Sequence, residues 1–363
     1  NLRQLWPLLR SADRPEIHEV SEHLHTIVLP EELNLEWPFG TGVGNLLFVR
    51  PSQQPTLDLI IEEFKKEARN TRQLLSHHPG CIVKGTPGTG KSNRQICGHV
   101  CQSITVFLLL SNIILYFLGK TAFLNLMFYH AAKLNTNVIL HDAPTKSIFV
   151  LRKDGTVDFY AETPQPHKDV INLFHSSTLY LFNPDEENAQ AYLSPCFTVI
   201  ATSPEDKHYS NVRKIDTMLR RYLSPWTLEE ARQANRALPP DERLEESALD
   251  ERFENVGGSI RYLLSSRDSY APILKDISSL GIVKLKDLED WVKIIRSERS
   301  AGDLKISHYL FHCFPDEKDE RITHTVDFAS KVARKTVIDK VVIEDKWDFR
   351  SFVALLQQIV GNT

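Results

Sequence analysis

Short apolar strands alternating with helical segments predict an α/β fold, a mostly parallel sheet with helices on both faces. Two observations carry the expectation. The runs at residues 137–141, 178–182 and 197–202 are almost wholly apolar, as strands buried on both faces must be. The β-prone run at 80–84 leads directly into a glycine-rich signature, G-T-P-G-T-G-K-S, at residues 85–92. A strand, a glycine loop and a helix in that order form the usual phosphate cradle of a parallel sheet.

Every fixed position of G-x-x-x-x-G-K-[ST] is present, so the fold class expected is a P-loop NTPase binding ATP and Mg²⁺. Gly85, Gly88 and Gly90 let the backbone bend so that the N–H groups of the Gly85, Thr86, Pro87, Gly88, Thr89, Gly90 loop (proline excepted) turn inward. Lys91 would reach the β- and γ-phosphates as a point charge, and the Ser92 hydroxyl would ligand Mg²⁺.

The elements read in order as follows. Residues 1–50 look like the end of a header or connector, with a strand at 24–29 closed by Pro30 and another at 46–50 stopped by Pro51. Leu57, Ile60, Ile61, Phe64 and Ala68 mark one side of an amphipathic helix over 57–72. Residues 100–119 then carry no charge, and the signature is said a second time as Gly119, Lys120, Thr121. Phe123, Leu126, Met127 and Ala131 recur at helical spacing beyond it, as an amphipathic helix on a sheet needs. Joining Gly90 to Lys120 would give a well-formed loop and helix.

Three readings compete for residues 91–119. The apolar stretch is long enough for a membrane span, though Gln102, Ser103, Ser111 and Asn112 interrupt it. It could be a buried helix of an enlarged domain. It could also be a retained intron, because Gly-Lys-Ser can be written with a GTAAGT donor and Leu-Gly-Lys-Thr with a TTAG acceptor. The intron reading is favoured, and it makes Lys120 and Thr121 the alternative phosphate and Mg²⁺ residues. No membrane association is expected unless residues 100–119 are a true span.

Further on, 147–152 and 157–161 flank a hairpin turn at 153–156. Asn183 stands at the tip of the 178–182 strand, where an acidic Mg²⁺ residue is expected, and Asp185 and Glu187 could substitute or form a solvated turn. Thr202, ending the next strand, lies where a γ-phosphate sensor would be, or in an ordinary turn. Thr227 with Glu230 reads as a helix start. A helical segment at 245–255 ends in Gly257 and Gly258, and Arg261 beyond them either reaches over the nucleotide from a lid or is a surface arginine.

Composition adds bounds. The 363 residues are 42% hydrophobic and 25% charged, the profile of a globular protein, and a net charge of −4 gives no basic footprint for nucleic acid. Five cysteines suggest no disulfide framework. The chain starts at Asn1, so more N-terminal sequence is expected upstream.

Five stretches occur in family order: N-L-L-F-V-R-P at 45–51, T-P-G-T-G-K at 86–91, A-T-S-P at 201–204, S-P-W-T-L-E-E at 224–230 and R-F-E-N-V-G-G-S-I-R-Y at 252–262. Together they resemble the NTPase module of Crinkler effectors and the related retrotransposon hot spot proteins, over roughly residues 45–265. The resemblance implies an ATPase core behind a small header, secretion by a microbe and delivery to host cells and their nuclei. It implies that Lys91 (or Lys120) contacts phosphate and Ser92 (or Thr121) Mg²⁺. The chain departs from the pattern in its interrupted loop, in Asn183 and in the missing header.

The organisation expected is a header or connector at 1–50, an NTPase core at 51–238 with an insertion at 91–119, a helical lid at 239–270 and an α/β accessory region at 271–363. Catalytic candidates are Lys91, Asp185, Glu187 and Arg261, and metal candidates Ser92, Thr121, Asn183 and Asp185. Glu344 and Lys346, read as an E-x-K on a strand with Asp327 upstream, would suit a nuclease, or a charged strand edge. Two functions fit: an ATP hydrolase whose turnover switches a lid, or a non-hydrolysing docking module acting on host proteins or nucleic acid. An oligomer is compatible with either.

Overall fold

A computed structural model of the chain describes residues 2–11, 14–22, 24–30, 37, 46–69, 79–85, 120–184, 191–202, 218–240, 242–264, 267–279, 310–315 and 324–344. The backbone divides into two units: Asn1–Lys84, Gly119–Ser203 and Lys207–Arg221 in the first, and the remainder in the second.

The first unit is built on a seven-stranded sheet. Its strands in chain order are β4 (Gly80–Gly85), β5 (Asn137–Asp142), β6 (Ser147–Leu151), β7 (Val157–Ala161), β8 (Thr178–Asn183), β9 (Phe197–Thr202) and β10 (Met218–Leu223). They lie side by side as β10-β4-β9-β8-β5-β6-β7. The four strands β4, β9, β8 and β5 run parallel, with Lys84 opposite Thr202, Phe182 opposite Ile200, and Asp142 opposite Asn183. Their continuous apolar sequences match burial on both faces. The sheet then extends by the antiparallel β6–β7 hairpin. Gly155, at φ 94°, makes the hairpin turn possible, and the Asp154 carboxylate accepts from the Thr156 N–H at 2.9 Å. That bond and a second from the Thr156 hydroxyl hold the Asp154 carboxyl below its usual range.

Side chains alternate between the two faces. Ile82, Ile139, Ile148, Tyr180, Phe182 and Ile200 form one apolar layer, closed by Val170, Ala191 and Cys196 from the short helix α4 (Lys168–Ile171) and the strand connections. The other face takes helix α3 (Lys120–Lys133), which packs on β8 and β9. Helix α3 was expected to be amphipathic, yet it is buried nearly all round, Ala122, Phe123, Leu124, Asn125, Phe128 and Tyr129 included. The cause is a third layer. Helix α1 (Leu2–Arg10) and β3 (Leu46–Val49) cover its outer side, and Trp6 stacks on Phe128 at 5.4 Å. Strand β3 belongs to a small antiparallel sheet with β1 (Ile17–Ser21) and β2 (Leu24–Val28). Helix α2 (Gln54–Arg69) buries Leu57, Ile60 and Phe64, the last edge-on to Phe197 at 5.8 Å.

The second unit contains helices α5 (Leu228–Ala237), α6 (Glu246–Val256), α7 (Ile260–Leu263), α8 (Arg267–Ser279) and α9 (Lys331–Glu344), with a hairpin of β11 (Phe311–Pro315) and β12 (His324–Phe328). Thr227 caps α5 as its sequence promised: its hydroxyl accepts from the Glu230 N–H, and Glu230 accepts from the Thr227 N–H at 2.8 Å. One expectation fails. Glu344 ends helix α9 and does not lie on a strand, so the E-x-K reading loses its extended frame. Asp327 does sit on β12, where its carboxylate accepts from the Phe328 N–H.

Candidate functional site

Strand order singles out one place in the first unit. The chain leaves β4 towards β5, past β9 and β8, whereas it leaves β9 towards β10 on the far side of β4. Neighbouring parallel strands whose onward connections run in opposite directions open a crevice at their carboxyl ends, the usual ligand site of such sheets. The strands here are β4 and β9, and their tips are Lys84, Gly85 and Thr202. Thr202 is 1% exposed, and its Oγ1 is buried with no hydrogen-bond partner among the described residues. A buried hydroxyl left unsatisfied costs about 1–3 kcal/mol, so an oxygen placed at these tips would be stabilised by pairing with it. Lys84, level with Thr202, is equally buried.

The next tip over carries Asn183, whose Nδ2 donates to Asp142 Oδ1 at 2.6 Å. Asp142 ends β5, is 4% exposed, and its second oxygen accepts from the Thr145 hydroxyl. The acid expected on β8 is thus an amide, and a carboxylate stands beside it on the adjacent strand. Sequence reasoning ended that strand at His141 and missed Asp142. The signal was there: an apolar strand that ends in an acid, one strand away from the expected position.

Beneath these tips the opposite face is wired by a closed polar chain. The Tyr192 N–H donates to Tyr180 Oη at 3.2 Å, Tyr180 Oη meets His141 Nδ1 at 2.7 Å, and His141 Nε2 meets Glu162 Oε1 at 2.9 Å. Burial holds the Tyr180 hydroxyl well above its usual range, so it stays protonated and can donate to Nδ1. His141 then donates from Nε2 to the acceptor-only carboxylate, and every member is satisfied. Tyr192 stacks on His141 at 5.1 Å. The network fixes β5 and β8 next to each other, directly below Asp142 and Asn183.

Of the residues singled out from sequence, Gly85 ends β4. Lys120 and Thr121 open helix α3, so the helix begins on the second copy of the signature. Thr86, Pro87, Gly88, Thr89, Gly90, Lys91, Ser92, Asp185, Glu187, the whole of residues 91–119 and Lys346 lie outside the described residues. Arg261 belongs to α7, with its side chain likewise outside them. The glycine pair beside it has a packing role within the second unit. Gly257 has φ 62°, and a Cβ there would sit 1.6 Å from the Ala329 carbonyl oxygen; one on Gly258 would sit 2.2 Å from that of Trp226. Two backbones cross where only glycine fits.

Other chemistry is limited. Cys81 and Cys196 are free and buried, their thiols pushed up to about 12 and about 11 by burial, which leaves them unreactive. Among the described residues no cluster of three His, Cys, Asp or Glu side chains could hold a metal, and no helix is long and apolar enough to cross a membrane. No protein-family model matches the chain, and no curated protein does.

Proposed function

We propose that the chain is the ATP-binding core of a Crinkler-type P-loop NTPase, with the phosphates held at the tips of β4 and β9. One observation carries the reading: β4 ends at Gly85 in the switch crevice, and the helix packed on the sheet begins at Lys120. The strand, the glycines and the second Gly-Lys-Thr copy then fit the loop-and-helix order of a phosphate site. The orphan hydroxyl of Thr202 supports it, because a γ-phosphate oxygen would supply the missing partner. In this reading Lys120 pairs with phosphate, Thr121 offers a hard oxygen donor of the kind Mg²⁺ takes, and Asn183 reaches the ion through water. Bound Mg²⁺ would offset the charge that builds on the phosphates during transfer. Asp185 or Glu187 would orient the attacking water. Secretion and delivery to a host nucleus are proposed on resemblance alone.

The test is binding of a fluorescent ATP analogue and ATP turnover, in the full chain and in one lacking residues 91–119. Binding in the shortened chain that disappears with Lys120→Ala supports the reading. Binding in neither form, or binding indifferent to Lys120→Ala, counts against it. A second reading, a docking module that binds nucleotide poorly or not at all and does not hydrolyse it, is favoured by one feature: the amide at Asn183 carries no charge and its nitrogen is committed to Asp142.

A further inference from the structure

The pair at the tips of β5 and β8 goes one step further, and the step rests on the nucleotide-site reading above. We infer that Asp142 is a positioning residue: it locks the Asn183 amide so that Oδ1, turned away from β5, faces the Mg²⁺ water shell of a bound nucleotide.

The Asn183 amide nitrogen donates to Asp142 Oδ1 at 2.6 Å, so the nitrogen is the heteroatom that faces β5. The two heteroatoms of an amide diverge from one carbon, so Oδ1 is turned away from β5. On that side of β8 lie β9 and β4, the strands of the switch crevice. Asn183 makes no other side-chain hydrogen bond among the described residues, so Asp142 alone among them decides which way the amide points. Asp142 is itself fixed by Thr145 and by burial, which makes it a rigid reference. Asp142 and Asn183 are level in register, and they project on the sheet face that α3 covers, the helix that Lys120 and Thr121 open. The pair keeps a carboxyl group at the strand tips although β8 lacks its acid. An outer carboxylate that orients an inner ligand is a recurrent device in metal sites, and its loss usually weakens the metal about 10–100-fold.

The experiment titrates Mg²⁺ into the full chain with a fluorescent ADP, and repeats the nucleotide titration in EDTA. Variants are Asp142→Asn and the exchange Asp142→Asn with Asn183→Asp, each also checked by thermal melting. The inference expects Asp142→Asn to weaken Mg²⁺-dependent binding about tenfold or more while binding in EDTA stays within about twofold. The exchanged pair, with the carboxylate now on β8 and the hydrogen bond kept, restores it. Equal losses with and without Mg²⁺, or no recovery in a folded exchange variant, overturn the inference and make Asp142 a purely structural turn acid. No nucleotide binding in EDTA or Mg²⁺ by either the full chain or the chain lacking residues 91–119 fails the nucleotide reading itself, and the inference falls with it.

Discussion

Removing residues 91–119 should stabilise the first unit. Strand β4 ends at Gly85 and helix α3 begins at Lys120, so residues 86–119, 34 in all, now join them. After deletion five residues, 86–90, make the connection. Five extended residues reach about 17 Å, and a packed layer lies about 10 Å from its neighbour, so the short link can close. If residues 91–119 add only length, closing five residues in place of 34 costs less by (3/2)RT ln(34/5), about 2 kcal/mol. Melting followed by far-UV circular dichroism should then move up by about 5 °C. An unchanged or lower midpoint, or a deleted chain that does not fold, would refute the reasoning and show that residues 91–119 belong to the packed structure.

Three further outcomes are expected. Tyr180→Phe removes a buried hydroxyl with two partners, His141 Nδ1 and the Tyr192 N–H, and should cost about 2 kcal/mol in urea unfolding. Gly258→Ala drives a methyl into the Trp226 backbone and should cost about 2–3 kcal/mol in the second unit, measured by the same unfolding curves. His130 on α3 is depressed to about 4, chiefly by burial and then by Lys133, so the unfolded chain binds its proton first. Stability should be full above the unfolded value near 6.5, and should fall as pH drops towards 4. His130→Phe should flatten that part of the pH profile, and an unchanged slope would assign it to other groups.

The strands were legible because a strand buried on both faces must be apolar along its length, as residues 138–140 and 179–182 are. The start of α5 was legible because a capping box is a local motif. Helix α3 was placed correctly but its burial was not, since the helix and strand that cover its outer side come from the first fifty residues. Helix α9 was misread at its end: Val341, Val342 and Ile343 favour extended backbone, yet they lie within the helix. Asp142 was missed for a different reason. Its partner Asn183 is 41 residues away, and the pairing is made by strand register, which no local pattern reports.

The position of β4 in the sheet also bears on how the protein assembles. It is the first of the seven strands in the chain, yet it lies between β9 and β10, the last two. The β6–β7 hairpin closes over a short turn, and such hairpins form in about 1–10 μs. Pairing β4 with β9 joins residues more than a hundred positions apart, and contacts that distant slow folding. Insertion of β4 is therefore expected to come late, and the crevice it lines would exist only once that step is complete. A ligand held there would lengthen the lifetime of the folded chain and leave its rate of formation nearly unchanged.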